Sequence, residues 1–380
     1  MKANATEFTI DADYLKEQIA RLMEIPCPTG FTDAAVVYVC KQLDELSIDY
    51  HLTRRGSINA TLTGKQTAPD RAIVTHLDTI GAMVRQIKSN GRLAITPIGH
   101  WSSRFAEGGR VTIFTDNSHL RGSVLPIMAA GHVYNEAVDT QPVNWDQVEV
   151  RVDAPIKNIQ DAYDAGLHVG DTVAFDPNPE FLDNGFIVSR HLDNKAGTAS
   201  LLTALKAVRD YKLPLTLDCH PIFTLSEEVG SGVGHVLDKN ITEFVGIDIG
   251  PVAEGQNANI SGVTIAMKDS SGPFDYHLTR HLIKLADQWN INHTRDVFRF
   301  YYSDAVSAVQ AGHDMRHALV TFGTDATHGY ERTHISALTA VAELLVRYMQ
   351  SEPAIQSDAA DKTPVAEFSK HAEFQVGSER

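Results

Sequence analysis

The chain has 380 residues, 43% of them hydrophobic and 21% charged, a balance suited to a folded protein and far from the polar bias of a disordered one. Its 33 Lys and Arg against 48 Asp and Glu leave a formal net charge of −15, which repels phosphate backbones and anionic lipid and argues against nucleic-acid and membrane partners. No apolar run approaches the ~18 residues of a membrane span, and the first residues lack signal-peptide character. Three cysteines (Cys27, Cys40 and Cys219) without CxxC spacing argue against a disulfide framework or a thiolate zinc site, so the expectation is a cytoplasmic protein.

In chain order, Leu15, Ile19, Leu22 and Met23 form one apolar stripe, predicting a helix over 13–25. Thr32 reads as the N-cap of a second helix that turns Val36, Val39, Cys40, Leu43 and Leu46 inward. Strands follow at 58–62 and 72–75. From about 85 to 175 the texture is β-rich and punctuated by Gly, Pro, Asn and Asp, with strands at 110–115, 122–128, 147–152 and 171–175. Helices and strands then alternate: a helix at 196–211, strands at 221–225, 244–249 and 263–267, a helix at 276–289, a strand at 318–322 and a last helix at 335–349. This pattern predicts an α/β protein, a mixed sheet covered by helices on both faces, with an inserted β-rich domain. The expected division is 1–84 with 176–350 as one domain, 85–175 as the insertion, and 351–380 as a polar, flexible tail.

Acidic and histidine residues gather where strands should end. His76 and Asp78 follow the run Ala72-Ile73-Val74-Thr75, Asp193 opens a helix, Glu227-Glu228 follow Ile222-Phe223-Thr224-Leu225-Ser226, and Asp248 closes Phe244-Val245-Gly246-Ile247. His334 is expected in a loop after the strand 318–322. The carboxyl ends of strands line the ligand crevice of open α/β sheets. Imidazoles and carboxylates there suit a pair of divalent ions, one carboxylate bridging them. Side chains alternate along a strand, so Asp78 can lie behind His76 and orient its imidazole. Neighbouring Glu227 and Glu228 diverge, so one can bind metal while the other serves a metal-held water as general base. Gly230-Ser231-Gly232-Val233-Gly234 lacks phosphate-loop spacing and reads as a tight turn, and Asp304 reads as a substrate contact or a helix cap.

The segments Thr75-His76-Leu77-Asp78-Thr79-Ile80-Gly81, Gly170-Asp171-Thr172-Val173-Ala174-Phe175, His191-Leu192-Asp193-Asn194-Lys195-Ala196-Gly197, Glu227-Glu228-Val229-Gly230, Ile247-Asp248 and Tyr330-Glu331-Arg332-Thr333-His334 resemble, in that order, the tetrahedral (TET-type) dinuclear aminopeptidases. The long gap between Asp78 and Asp193, against the short one between Glu228 and Asp248, is similar to that family's insertion. The resemblance implies that Asp193 bridges two metals, that His76 and Asp248 complete one site, and that Glu228 and His334 complete the other. It makes Glu227 the general base and Asp78 the carboxylate behind His76. His328 is the rival for the last ligand position, and the family segment favours His334. Zinc is the metal implied first, with Co²⁺ or Mn²⁺ also compatible. The insertion implies a homo-oligomer, a dodecamer in the family.

The implied function is removal of N-terminal residues from short peptides. Phe105-Ala106-Glu107-Gly108 and the segment ending at His334 also resemble a bacterial branch associated with osmoprotectant dipeptides of the N-acetylglutaminylglutamine amide system. That likeness keeps open a deacylase or dipeptidase acting on N-blocked or amidated dipeptides. A non-catalytic peptide-binding scaffold is the remaining alternative. Departures from the commoner family pattern are Ser226 before the Glu pair and Glu331-Arg332-Thr333 before the last histidine.

Overall fold

The computed structural model describes residues 7–359 and residue 368. Four strands, Leu217–Thr224, Gln66–His76, Ile241–Val252 and Arg316–Asp325, run parallel at the centre of an 11-stranded mixed sheet. Asp49–Leu52 and Ile58–Thr61 extend one edge, while Glu331–His334, Phe186–Ser189 and Glu180–Phe181 extend the other. Val263–Lys268 joins Arg316–Asp325 in antiparallel sense and pairs on its other side with His293–Val297.

The central strands are buried on both sides, which is why they read as near-continuous apolar runs. Ile73, Phe223, Val245, Ile247 and Val320 point into a core shared with the helices Ala12–Met23, Asp33–Glu45, Leu192–Asp210, Tyr276–Trp289 and Ile335–Gln350. Ala72, Val74, Ile222, Phe244 and Leu319 point the other way, under the helix Asp304–Gln310 and the loop holding Val233, Val236 and Leu237. Both faces are covered, but five helices lie on one and a two-turn helix on the other. The helix Leu192–Asp210 is buried almost all round, as expected of one wedged between the sheet and other helices.

Between His76 and the strand Phe186–Ser189 the chain forms a closed six-stranded barrel. Its order is Gly81–Ile87, Leu93–Ile98, Val148–Val152, His119–Pro126, Arg110–Phe114 and Thr172–Phe175, the last pairing back to the first. Ala82, Val84, Ile95, Val111, Ile113, Val124, Val150 and Val173 fill it, the alternation a small barrel requires.

At the amino ends of the parallel strands, Arg71 and Glu243 pair at 3.4 Å with both side chains buried, and Tyr348 donates its hydroxyl to Glu243 at 2.8 Å. The first part of the expected flexible tail is tied down here. Ala354 N–H donates to Glu243, and Asp358 in the short helix Gln356–Ala359 pairs with Arg316. Beyond 359 the tail expectation falls outside the described residues, residue 368 apart.

Candidate metal centre

Register builds the site. Val74 stands opposite Gly246, so two residues further His76 and Asp248 stand level and face the same side. Thr224 lies opposite His76, and the chain leaves that strand through Leu225 and Ser226 into the one-turn helix Glu227–Val229. Asp193 arrives from the start of the helix Leu192–Asp210, through a cis peptide to Asn194. The Asn194 amide donates to the Ile247 carbonyl at 2.7 Å, fixing this segment to the neighbouring strand.

His76 Nε2 lies 3.2 Å from Asp193 Oδ1, 3.7 Å from Glu227 Oε2 and 4.0 Å from Asp248 Oδ1. The other Asp193 oxygen, Oδ2, lies 3.4 Å from His328 Nε2, which is 3.3 Å from Glu228 Oε2. Two groups result, His76–Asp193–Asp248 and Asp193–Glu228–His328, each with its ligand atoms within 4.8 Å of one another. They share Asp193.

His334 is not brought into either group. It caps the helix Ile335–Gln350, its Nδ1 accepting from Ser336 N–H at 3.1 Å, while its Nε2 lies 3.0 Å from the Asn184 carbonyl. Both ring nitrogens are occupied. The physical reason is a hairpin. Asp325 pairs with Arg332, so residues 326–331 form a tip at the carboxyl end of the parallel sheet, carrying His328. By His334 the chain has run back along the sheet as a strand, not a loop, opposite Phe186.

Asp78 also acts differently from expectation. His76 Nδ1 lies 2.9 Å from the main-chain carbonyl of Asp78 and 3.7 Å from its carboxylate. That carboxylate accepts from the Thr29 hydroxyl at 2.6 Å and from Glu227 N–H at 3.2 Å. The carbonyl thus fixes the His76 tautomer, leaving Nε2 with a free lone pair, and the carboxylate anchors the backbone of Glu227. His328 is held likewise, its Nδ1 3.0 Å from the His100 carbonyl in the loop after the barrel strand Leu93–Ile98.

Glu331, buried at the start of its strand, accepts from Asp193 N–H at 3.1 Å and from His328 N–H at 2.9 Å. The sequence names Glu331 only as part of the segment before His334 and assigns it no role of its own. Its offset of three from His328 was the available signal. Asp304 accepts from the Thr224 hydroxyl and, at 2.9 Å, from Val233 N–H. A Cβ on Gly232 would meet Asp304 Oδ1 at 1.8 Å, so the glycine turn exists to let this carboxylate approach.

The electrostatics call for cations. Burial pushes Glu227 well above the usual carboxylate range, and the Asp248 carboxylate adds to the rise. Asp248 rises well above its ordinary value for the same reason, burial first and then Asp193. Burial alone would lower His76 and His328, but the surrounding carboxylates outweigh it and raise both, His328 to about 12. Asp193 Oδ1 and Glu228 Oε1 are buried without a hydrogen-bond partner, a costly arrangement unless an ion meets them. Imidazole and carboxylate are donors that suit divalent ions of the zinc type, the imidazoles releasing their extra proton on binding, and the two groups that share Asp193 are of a kind that could hold such ions. Beside it, Glu227 borders a cavity of about 290 Å³ lined also by Ser270, Ser271, Tyr302, Ser307 and Gln310.

Residues 56–344 match the family described as M42 glutamyl aminopeptidase. The putative aminopeptidase YhfE of Bacillus subtilis is 37% identical over 336 residues, covering 88% of this chain and 97% of that protein. Among solved structures, a TET aminopeptidase from a marine sediment archaeon of the Thaumarchaeota superposes with a TM-score of 0.81 at 18% identity, over 89% of this chain and 96% of the other. The TET1 peptidase of Pyrococcus horikoshii, which can assemble into a tetrahedron or a large octahedral shell, superposes with a TM-score of 0.77 at 19% identity, over 88% and 99%.

Proposed function

The chain belongs to the M42 glutamyl aminopeptidase family and is a metal-dependent aminopeptidase, and on that premise we propose that it removes N-terminal residues from short peptides at the centre that Asp193 joins. The observation that carries this reading is the sharing of Asp193: one oxygen faces His76 and the other His328. In it His76, Asp193 and Asp248 hold one divalent ion, and Asp193, Glu228 and His328 the other, zinc first and Co²⁺ or Mn²⁺ as alternatives. When bound, the ions would supply Lewis acidity toward a scissile carbonyl and toward the attacking water.

The remaining work falls to the chain's own groups. Glu227 directs Oε2 toward the His76 group, and in this reading that oxygen takes the proton of the attacking water and returns it to the leaving amine. Asp78 keeps Glu227 in position through its backbone N–H. The cavity beside Glu227 receives a substrate side chain. The burial of His76, Asp193 and Asp248 keeps bulk water from screening the charges.

Among the described residues no helix is long and apolar enough to cross a membrane. Three unpaired, buried cysteines support a cytoplasmic location. The fold shared with the shell-forming archaeal peptidase supports assembly into a homo-oligomer, with the barrel as the assembling unit.

The test is hydrolysis of paired free-amine and N-acetylated dipeptides by protein reconstituted with Zn²⁺, Co²⁺ or Mn²⁺. Cleavage of the free-amine member is expected. Cleavage confined to the blocked member would replace the aminopeptidase reading with a deacylase.

A further inference from the structure

Resting on the metal-centre reading above, we infer that Glu331 is a positioning residue for that centre, holding two ligand-bearing backbones in place without touching the ions. Its side chain is 1% exposed. Oε2 accepts from the N–H of Asp193, and Oε1 accepts from the N–H of His328. Asp193 belongs to the start of the long helix and His328 to the tip of the hairpin between Arg316–Asp325 and Glu331–His334. One carboxylate therefore sets the separation between two segments distant in sequence, and the Asp193–Glu228–His328 group depends on that separation. Each bond joins a buried carboxyl oxygen to a backbone amide away from water, where an unmade bond is costly and a made one holds firmly.

The two groups do not depend on Glu331 equally. Asp193 has a second anchor, the bond from its neighbour Asn194 to the Ile247 carbonyl. His328 has a second contact too, from its Nδ1 to the His100 carbonyl, but that contact holds the ring and not the backbone, which sits in a turn at φ +60°, a left-handed conformation that needs external support. Loss of the carboxylate should loosen the His328 side and spare the His76 side. Residues that orient metal ligands typically change affinity tenfold to a hundredfold when replaced.

The experiment strips the full chain of metal and titrates it with Co²⁺ alone, following visible absorption and equilibrium dialysis. Wild type should take up two ions, and uptake of fewer would overturn the metal-centre reading itself. Glu331→Gln, of equal size but offering an N–H where an acceptor is needed, should bind the first ion as wild type does. Its second ion should bind about tenfold to a hundredfold more weakly, with an altered spectrum, while the metal-free melting temperature stays close to that of wild type. Glu331→Asp keeps the carboxyl acceptor on a shorter stem that should reach only one amide, and should fall between wild type and Glu331→Gln. Unchanged affinities in folded Glu331→Gln would overturn the inference. So would a lowered metal-free melting temperature with both affinities reduced alike, or failure of both variants to fold, since the side chain would then be holding the fold and not the centre.

Discussion

His328 sets its Nε2 3.3 Å from Glu228 Oε2, and this contact supports it, over His334 six positions on, as a ligand of the proposed centre. His328→Ala should lower peptidase activity at least ~100-fold and cost one bound ion. His334→Ala should keep both ions and most of the activity, and lose about 1 kcal/mol of stability with its helix cap. Metal analysis with thermal melts of both variants checks this. The reverse pattern would return the ligand role to His334.

Glu227 approaches the His76 group but belongs to neither set of clustered ligand atoms. Glu227→Gln should keep two ions per chain and lose about 10²–10⁴ in kcat. Steady-state kinetics beside metal analysis reads both at once, and near-native turnover would remove Glu227 as the base.

Because several buried carboxylates face one another across the centre, removing the ions should destabilise the fold as well as stop the reaction. Dialysis against a chelator is expected to lower Tm, and re-addition of Zn²⁺ to restore it. One ion at a hundred times its Kd adds about 2.7 kcal/mol. A Tm indifferent to metal would contradict the proposed role of Asp193, Glu228 and Asp248.

A pH effect is expected far from the centre. Burial, then nearby Arg71 and Lys284, pull His281 down to about 4, and its Nε2 sits 2.8 Å from Ser351 Oγ. The unfolded chain therefore takes up a proton near the ordinary value of 6.5 that the folded chain refuses until about 4. Stability contributed by the neutral ring is complete above that window and falls as pH drops through it. The loss is on the order of 1 kcal/mol after discounting the ring's partial exposure. Melts from pH 7 to 4 should show a shallower decline for His281→Gln than for wild type.

The parts of the centre that are legible from sequence lie on or just beyond central strands or, for Asp193, at the start of the helix Leu192–Asp210. His76, Glu227, Glu228 and Asp248 follow apolar runs that are apolar because both faces are buried, so the ends of the runs mark the ends of the strands. What escaped lies where pattern is weak. The strand Glu331–His334 spans four residues with no apolar alternation, so the hairpin that lifts His328 and lowers His334 leaves no trace in hydropathy. The helix Asp304–Gln310 is too short to show a stripe. Asp78 lies beside His76, but its bond to that ring runs through a backbone carbonyl, which no side-chain pattern encodes. The mixed α/β architecture with its added β unit, by contrast, follows directly from the alternation of runs along the chain.

The His100 carbonyl at 3.0 Å from His328 Nδ1 reaches the centre from the barrel side. Any force that tilts the barrel, whether from a neighbouring subunit or from crowding against a surface, is felt at one imidazole. Excising residues 81–175 to obtain a minimal enzyme would therefore take away the contact at Nδ1 and leave that ring oriented from its Nε2 side alone.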